Sequence, residues 1–214
     1  MGESRVHDAL AALAARLDKL DIPYAILGAL ALNAYGYLRA TVDVDVLLTR
    51  EGLERFRAAA LGHGYLEKFP GSRGVRDTAR NVEIDIVLAG DYPGDGREKP
   101  VRFPDPATAA VKGQTFSLVS LETLIELKIA SGMTAPHRLR DLADVIELIR
   151  VNGLASDYWE RLHPYVRDRF TELWQAAQPA DAECGVDSAR EPDGIDRRLR
   201  EDPRLRPRQA GGGR

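Results

Sequence analysis

Apolar residues recur at helical spacing near the start of the chain, at Val6, Leu10, Leu13, Leu17 and Leu20. Residues 4–20 therefore read as an amphipathic helix lying on a sheet. The period then shortens. Tyr24–Leu27 is a short apolar run fit for a buried strand, stopped by Gly28, and residues 29–37 read as a helix. From Val42 to Leu48 the pattern alternates strictly, with Val42, Val44 and Val46 against Asp43 and Asp45. That is a half-buried strand. Val82–Leu88 repeats it with Glu83 and Asp85 on the polar face. Tyr65–Phe69 and Phe116–Val119 read as further strands. Gly71–Asp77 reads as a polar loop and Gly90–Gly96 as a long turn.

Helices fill the rest. Thr49 is placed to cap a helix over residues 51–61, which Gly62 and Gly64 end. After Ser120, residues Leu121, Leu124, Ile125 and Lys128 share one helical face. Thr134–Pro136 opens another helix running to about Val151, with Pro near its first position. A final helical region, Asp157–Gln178, is interrupted at Pro164. From residue 179 onward periodicity is lost, and eight acidic residues and eight arginines leave little to build a core. Disorder is expected there. The order of elements predicts an α+β (mixed α/β) fold: an α/β core over 1–119, a helical region over 120–178, and a tail over 179–214.

Composition narrows the function classes. A 44% hydrophobic and 29% charged chain is an ordinary globular one. No apolar run reaches the ~20 residues that span a membrane, and the first residues are not a signal peptide. The single cysteine, Cys184, cannot pair within the chain, so a cytoplasmic address is expected. A net charge of −3 supplies no global field to recruit nucleic acid. The four histidines are scattered without ligand spacing, which disfavours zinc. No P-loop, nucleophile elbow or dinucleotide fingerprint is present.

The acidic strands carry the candidate chemistry. Side chains two apart on a strand leave the same face, so Asp43 and Asp45 repel unless a positive charge lies between them. Glu83 and Asp85 repeat the problem. If the two strands are neighbours, three or four carboxylates meet on one patch, and hard oxygen ligands of that kind suit magnesium. The alternative is an ordinary solvated face of a one-sided sheet. Two acidic pairs count against it, because Asp is depleted in strands and like charges side by side destabilise them.

The strand, the Gly28–Ala29 turn, the helix and the Asp43-Val44-Asp45 strand, followed by the acidic strand at Asp85, resemble the nucleotidyltransferase superfamily related to DNA polymerase β. Leu27–Ala31, Tyr35, Gly36, Arg39, Thr41, Asp43 and Asp45 resemble more closely the group that contains AbiEii-type toxins. Leu124–Lys128 and Arg140–Asp144 are similar to that group's helical region. The resemblance covers about residues 20–150. It departs at Ala29, where Gly or Ser is usual, and at Glu83, where the toxins often carry lysine.

The resemblance implies a nucleotidyltransferase-type mixed sheet and transfer of NMP from an NTP to an acceptor: a tRNA end, a protein or a small molecule such as an antibiotic. Asp43, Asp45 and Asp85 would be the catalytic and metal-binding residues, holding two Mg2+ ions, with Mn2+ as a substitute, and Asp85 also serving as base. Gly28, Ala29, Arg39 and Lys128 would meet the nucleotide phosphates. Glu83 and Asp141 would support the site, with Asp141 orienting Lys128 or Arg39. An ion pair between Arg39 and Glu83, a snorkelling Lys128 and a merely strand-forming Thr41 are the structural alternatives. A toxin–antitoxin or phage-defence role, an antitoxin partner, and an inactive binding or regulatory module also follow from the family.

Overall fold

The N-terminal periodicity folds into α1 (Gly2–Lys19), with Val6, Leu10, Leu13 and Leu17 buried. The apolar run after it is the short strand β1 (Ala25–Leu27), which turns at Gly28 into α2 (Gly28–Ala34). The alternating stretch forms β2 (Asp43–Leu48), and α3 (Arg50–Ala60) follows, its Thr49 hydroxyl accepting the Gly52 N–H at 2.9 Å. Three strands come next: β3 (Tyr65–Glu67), β4 (Val75–Asp77) and β5 (Val82–Leu88). One turn of helix, α4 (Pro106–Ala109), leads into the hairpin of β6 (Ala110–Lys112) and β7 (Ser117–Val119). The helices α5 (Leu121–Thr134), α6 (Leu139–Asn152) and α7 (Arg167–Ala177) complete the unit. The computed structural model describes residues 2–179 other than 114, and side chains from Arg5 onward. The expectation of a disordered tail lies outside the described residues.

All seven strands join one mixed sheet in the order β3-β4-β5-β2-β1-β7-β6. The pairs β2/β5 and β1/β7 are parallel, and the others antiparallel. Val44, Val46, Ile84 and Ile86 on one face of the two acidic strands join a core cluster that includes Leu13, Leu17 and Phe56. Burying those faces fixes the register, because a one-residue slip would put the carboxylates into the core. No described helix is long and apolar enough to cross a membrane.

Several expected boundaries move. β2 begins at Asp43, and Val42 is 83% exposed, since alternation marks a period and not the first paired residue. β3 ends at Glu67, before Phe69. Val75–Asp77, expected as loop, is a strand whose signal is masked by a buried acid. Asp77 is only 2% exposed because its carboxylate accepts from the Ala79 and Arg80 N–H groups and pairs with the Arg80 guanidinium. Thr134 closes α5, and a single 3-10 turn at Pro136–Arg138 precedes α6. The expected helical region from Asp157, interrupted at Pro164, is two 3-10 turns, Tyr158–Arg161 and Pro164–Val166, ahead of α7.

A buried charge network ties the helices to the loop before β2. Asp144 of α6 is 1% exposed, and one of its oxygens accepts from Lys128 Nζ at 2.7 Å and from Arg39 at 2.6 Å. Lys128 also donates to Asp141 at 3.0 Å, and the Ser131 hydroxyl holds the other Asp141 oxygen at 2.7 Å. The Arg39 backbone is held in turn by the Asn33 side chain, with N–H to Oδ1 at 2.6 Å. Two cations against two anions leave the cluster neutral. Removing one partner strands a buried charge, at a cost of about 3–5 kcal/mol. Asp144→Ala should therefore lower the denaturation midpoint by roughly that free energy in urea titrations, with an unchanged m-value. A change under about 1 kcal/mol would show that the network holds nothing together.

Candidate functional site

The parallel register of β2 and β5 sets Asp43 opposite Glu83 and Asp45 opposite Asp85. Four carboxylates thus share one face of two adjacent strands. The row containing Asp45 runs from β1 to the edge at β3. On one side Leu27, the residue before the Gly28 turn, pairs with Asp45. On the other, Gly74 and Lys68 lie one step beyond the Val75–Ile84 and Glu67–Val75 pairs, and Lys68 N–H donates to Gly74 O at 3.1 Å.

Gly28 is held at φ +65°, and a Cβ there would overlap the Asp45 carboxylate. Both the left-handed backbone and the close approach demand glycine. Ala29, in the first turn of α2, is buried. Asp45 is partly buried, and burial pushes its carboxyl up to about 6, with the charges of Asp43 and Asp85 acting in the same direction and Lys128 and Arg138 opposing. Asp43 accepts a short hydrogen bond from the Thr41 hydroxyl, so Thr41 is a carboxylate partner outside any strand. Asp85 and Glu83 share the Lys68 ammonium, at 2.8 and 2.7 Å.

A cavity of about 160 Å3 opens beside Asp45, walled by Gly28, Phe103, Lys128, Arg138 and Asp141 among others. Asp43, Glu83 and Asp85 are outside its lining. The proposed pairing of Arg39 with Glu83 does not form: Arg39 binds Asp144, and Glu83 binds Lys68. Lys128 does not snorkel; it is 7% exposed and doubly paired. Of the two roles considered for Asp141, holding Lys128 is the one the structure shows, and Asp141 lies 13 residues from it.

Sequence reasoning missed Lys68, Gly74, Asp144 as the hub of the network, and Arg138. Lys68 falls in the expected strand Tyr65–Phe69 and Gly74 in the expected loop Gly71–Asp77, and only strand register brings them to the acids. Arg138 lines the cavity on a 3-10 turn that was read as helix, and its guanidinium lies 4.0 Å from Asp141. The Asp144 signal was present, since it follows Asp141 by three residues and so shares its helical face.

The donor set of Asp43, Asp45 and Asp85 is anionic, hard and mutually repelling, which is the chemistry a magnesium-type ion relieves. In this conformation Asp43 is turned to Thr41 and Asp85 to Lys68. Among the described residues no three acids, histidines or cysteines are gathered closely enough to hold a metal as they stand. The residues fit the ion by chemistry and register.

No family model matches this chain, and no curated protein matches it. Solved structures share its fold at low identity. ANT(2'')-Ia, an antibiotic-resistance factor solved in solution, is 18% identical and aligns over 82% of this chain and 98% of its own, with a TM-score of 0.52. A crystal structure of ANT(2'')-Ia in complex with adenylyl-2''-tobramycin is 17% identical over 79% and 98%, with a TM-score of 0.50. JHP933 from Helicobacter pylori is 16% identical over 83% and 81%, with a TM-score of 0.43. The fold shared with ANT(2'')-Ia is a mixed sheet with flanking helices.

The raised Asp45 value makes metal-free stability pH-dependent. The folded chain binds this proton more tightly than the unfolded chain, so the contribution is fully present below pH 3.8 and is lost as pH rises through about 6. At pH 7.5 in chelator, Asp45→Asn should be more stable than wild type by roughly 2–3 kcal/mol, and the two should converge near pH 4. Equal midpoints at pH 7.5 would show that Asp45 is not under strain.

Proposed function

From a nucleotidyltransferase fold with four carboxylates in register, we propose that this chain transfers NMP from an NTP to a hydroxyl-bearing acceptor, in the cytoplasm and with Mg2+. The observation that carries the reading is the Asp45 carboxylate, pressed against Gly28, facing Asp85 across the strand pair and pushed up to about 6. Asp43, Asp45 and Asp85 would hold two magnesium ions, or manganese in their place. Such ions neutralise the triphosphate and the departing pyrophosphate.

The chain's own residues supply the rest. Gly28 and Ala29 let phosphates approach the backbone without a large side chain intervening. Lys128 keeps one ammonium N–H beyond the two given to Asp141 and Asp144, available to a phosphate oxygen. Arg39 is engaged with Asp144 and acts by holding the network in place. Arg138 brings a further cation to the cavity wall. Asp85, on the open face, would take the acceptor's proton. Glu83 and Asp43 make the acceptor side acidic, which disfavours polyanionic RNA and favours a neutral or cationic small molecule over a tRNA or protein acceptor.

A second reading has one observation in its favour. Lys68 already neutralises Glu83 and Asp85, as it would in a binding or regulatory module that no longer transfers. A place near the AbiEii-type toxins, with an antitoxin partner or a phage-defence role, belongs with either reading and rests on the sequence motifs alone.

Thermal shift with each NTP separates the two. At a hundredfold excess over Kd, binding adds about 2.7 kcal/mol, or roughly 5–10 °C in a chain of this size. Stabilisation by one NTP should require Mg2+ and disappear in Asp43→Ala and Asp45→Ala. A shift that survives without metal, or in those variants, would favour the binding module.

A further inference from the structure

The Asp45 row ends on a lysine that spans a strand to reach it. Lys68 follows β3, at the sheet edge, and Asp85 lies two strands away on β5. Strands are spaced about 4.8 Å apart, so the side chain has to cross β4 at the level of Gly74. A Cβ at Gly74 would stand 2.7 Å from Lys68 Cδ and 3.1 Å from Asp85 Oδ1. The missing side chain is the channel through which the lysine passes. Lys68 is not a loose surface group: its side chain is 20% exposed, less than half the exposure of the Glu83 and Asp85 side chains at 48% and 44%.

We propose that Lys68 is a resident counter-ion of the carboxylate row, exchanged for divalent metal. In the metal-free chain its ammonium lies between Asp85 and Glu83 and cancels part of the charge of four in-register acids. Lys68 then competes with any cation or proton for the Asp85 Oδ1 that it holds. The two pairs are solvent-facing, and ion pairs of that kind are weak enough to be exchanged against a divalent charge. The lysine therefore sets how tightly the row binds metal, and it acts as a positioning residue for Asp85. This rests on the reading of the row as a divalent-cation site.

Metal affinity in the absence of nucleotide tests it. Free Mn2+ is titrated into the full chain at low ionic strength and followed by calorimetry and electron paramagnetic resonance, with circular dichroism as the check on folding. Lys68→Met should bind Mn2+ about tenfold more tightly than wild type, because a charge at contact distance no longer competes. Lys68→Gln, which keeps a polar side chain, should show the same direction. Arg73→Gln removes a cation from the same hairpin that pairs with Asp91 instead, and should change affinity less than twofold. A purely structural lysine would leave affinity unchanged or weaken it, and either result overturns the proposal. An equal gain in Arg73→Gln would also overturn it, by showing a general field effect. Wild-type binding with no gain in the Lys68 variants refutes the exchange but leaves the metal site standing. No Mn2+ binding by any variant refutes the metal site itself, and the exchange with it.

Discussion

The parallel pairing of β2 with β5 is the constraint on which the rest of the site depends. Val44 and Val46 of β2 and Val82, Ile84 and Ile86 of β5 are buried on one face, so neither strand can slip by a residue without turning acids into the core. The cost of that register is a patch where Asp43 faces Glu83 and Asp45 faces Asp85. Like charges opposite one another weaken a sheet. Each acid therefore has its own remedy: Thr41 for Asp43, Lys68 for Glu83 and Asp85, and, for Asp45, a carboxyl pushed up to about 6. Of the four acids, Glu83 and Asp85 are paired with a cation, and Asp43 and Asp45 are not, among the described residues.

Behind this patch lies a second charge arrangement of opposite character. Lys128, Arg39, Asp141 and Asp144 are enclosed and mutually neutral, whereas the carboxylate row is open and net negative. The first is a clamp that sets α5 and α6 against the loop leading to β2. The second is a surface that a cation can discharge. Lys128 belongs to both, since it also lines the cavity beside Asp45. A mutation there would damage the fold and the site together, so Lys128 is a poor probe of function.

Much of this was legible in the sequence for a physical reason. Alternation at period 2 in residues 43–48 and 82–88 reports which face is buried, and burial fixed both the strands and the shared face of their acids. The Gly28 turn was visible as a strand stop, and the Thr49 cap by residue type. What was not legible depends on partners distant in the chain. β4 was hidden because Asp77 is buried through local hydrogen bonds that no hydropathy pattern records. Lys68 was invisible as a site residue because only strand order carries it past Gly74 to Asp85. Arg39 was visible as an important cation, but its partner, 105 residues away, was not. Periodicity identifies faces, and long-range pairing decides which faces meet.

The central claim is that the in-register acids form a divalent-metal site at which a nucleotide is held. Anomalous diffraction from crystals grown with Mn2+ and a non-hydrolysable NTP analogue tests it most directly. A manganese peak is expected at about 2.0–2.3 Å from carboxylate oxygens of both Asp43 and Asp45, with the triphosphate beside Gly28 and Lys68 withdrawn from Asp85. Manganese absent from these acids, with the nucleotide bound elsewhere or not at all, would contradict it.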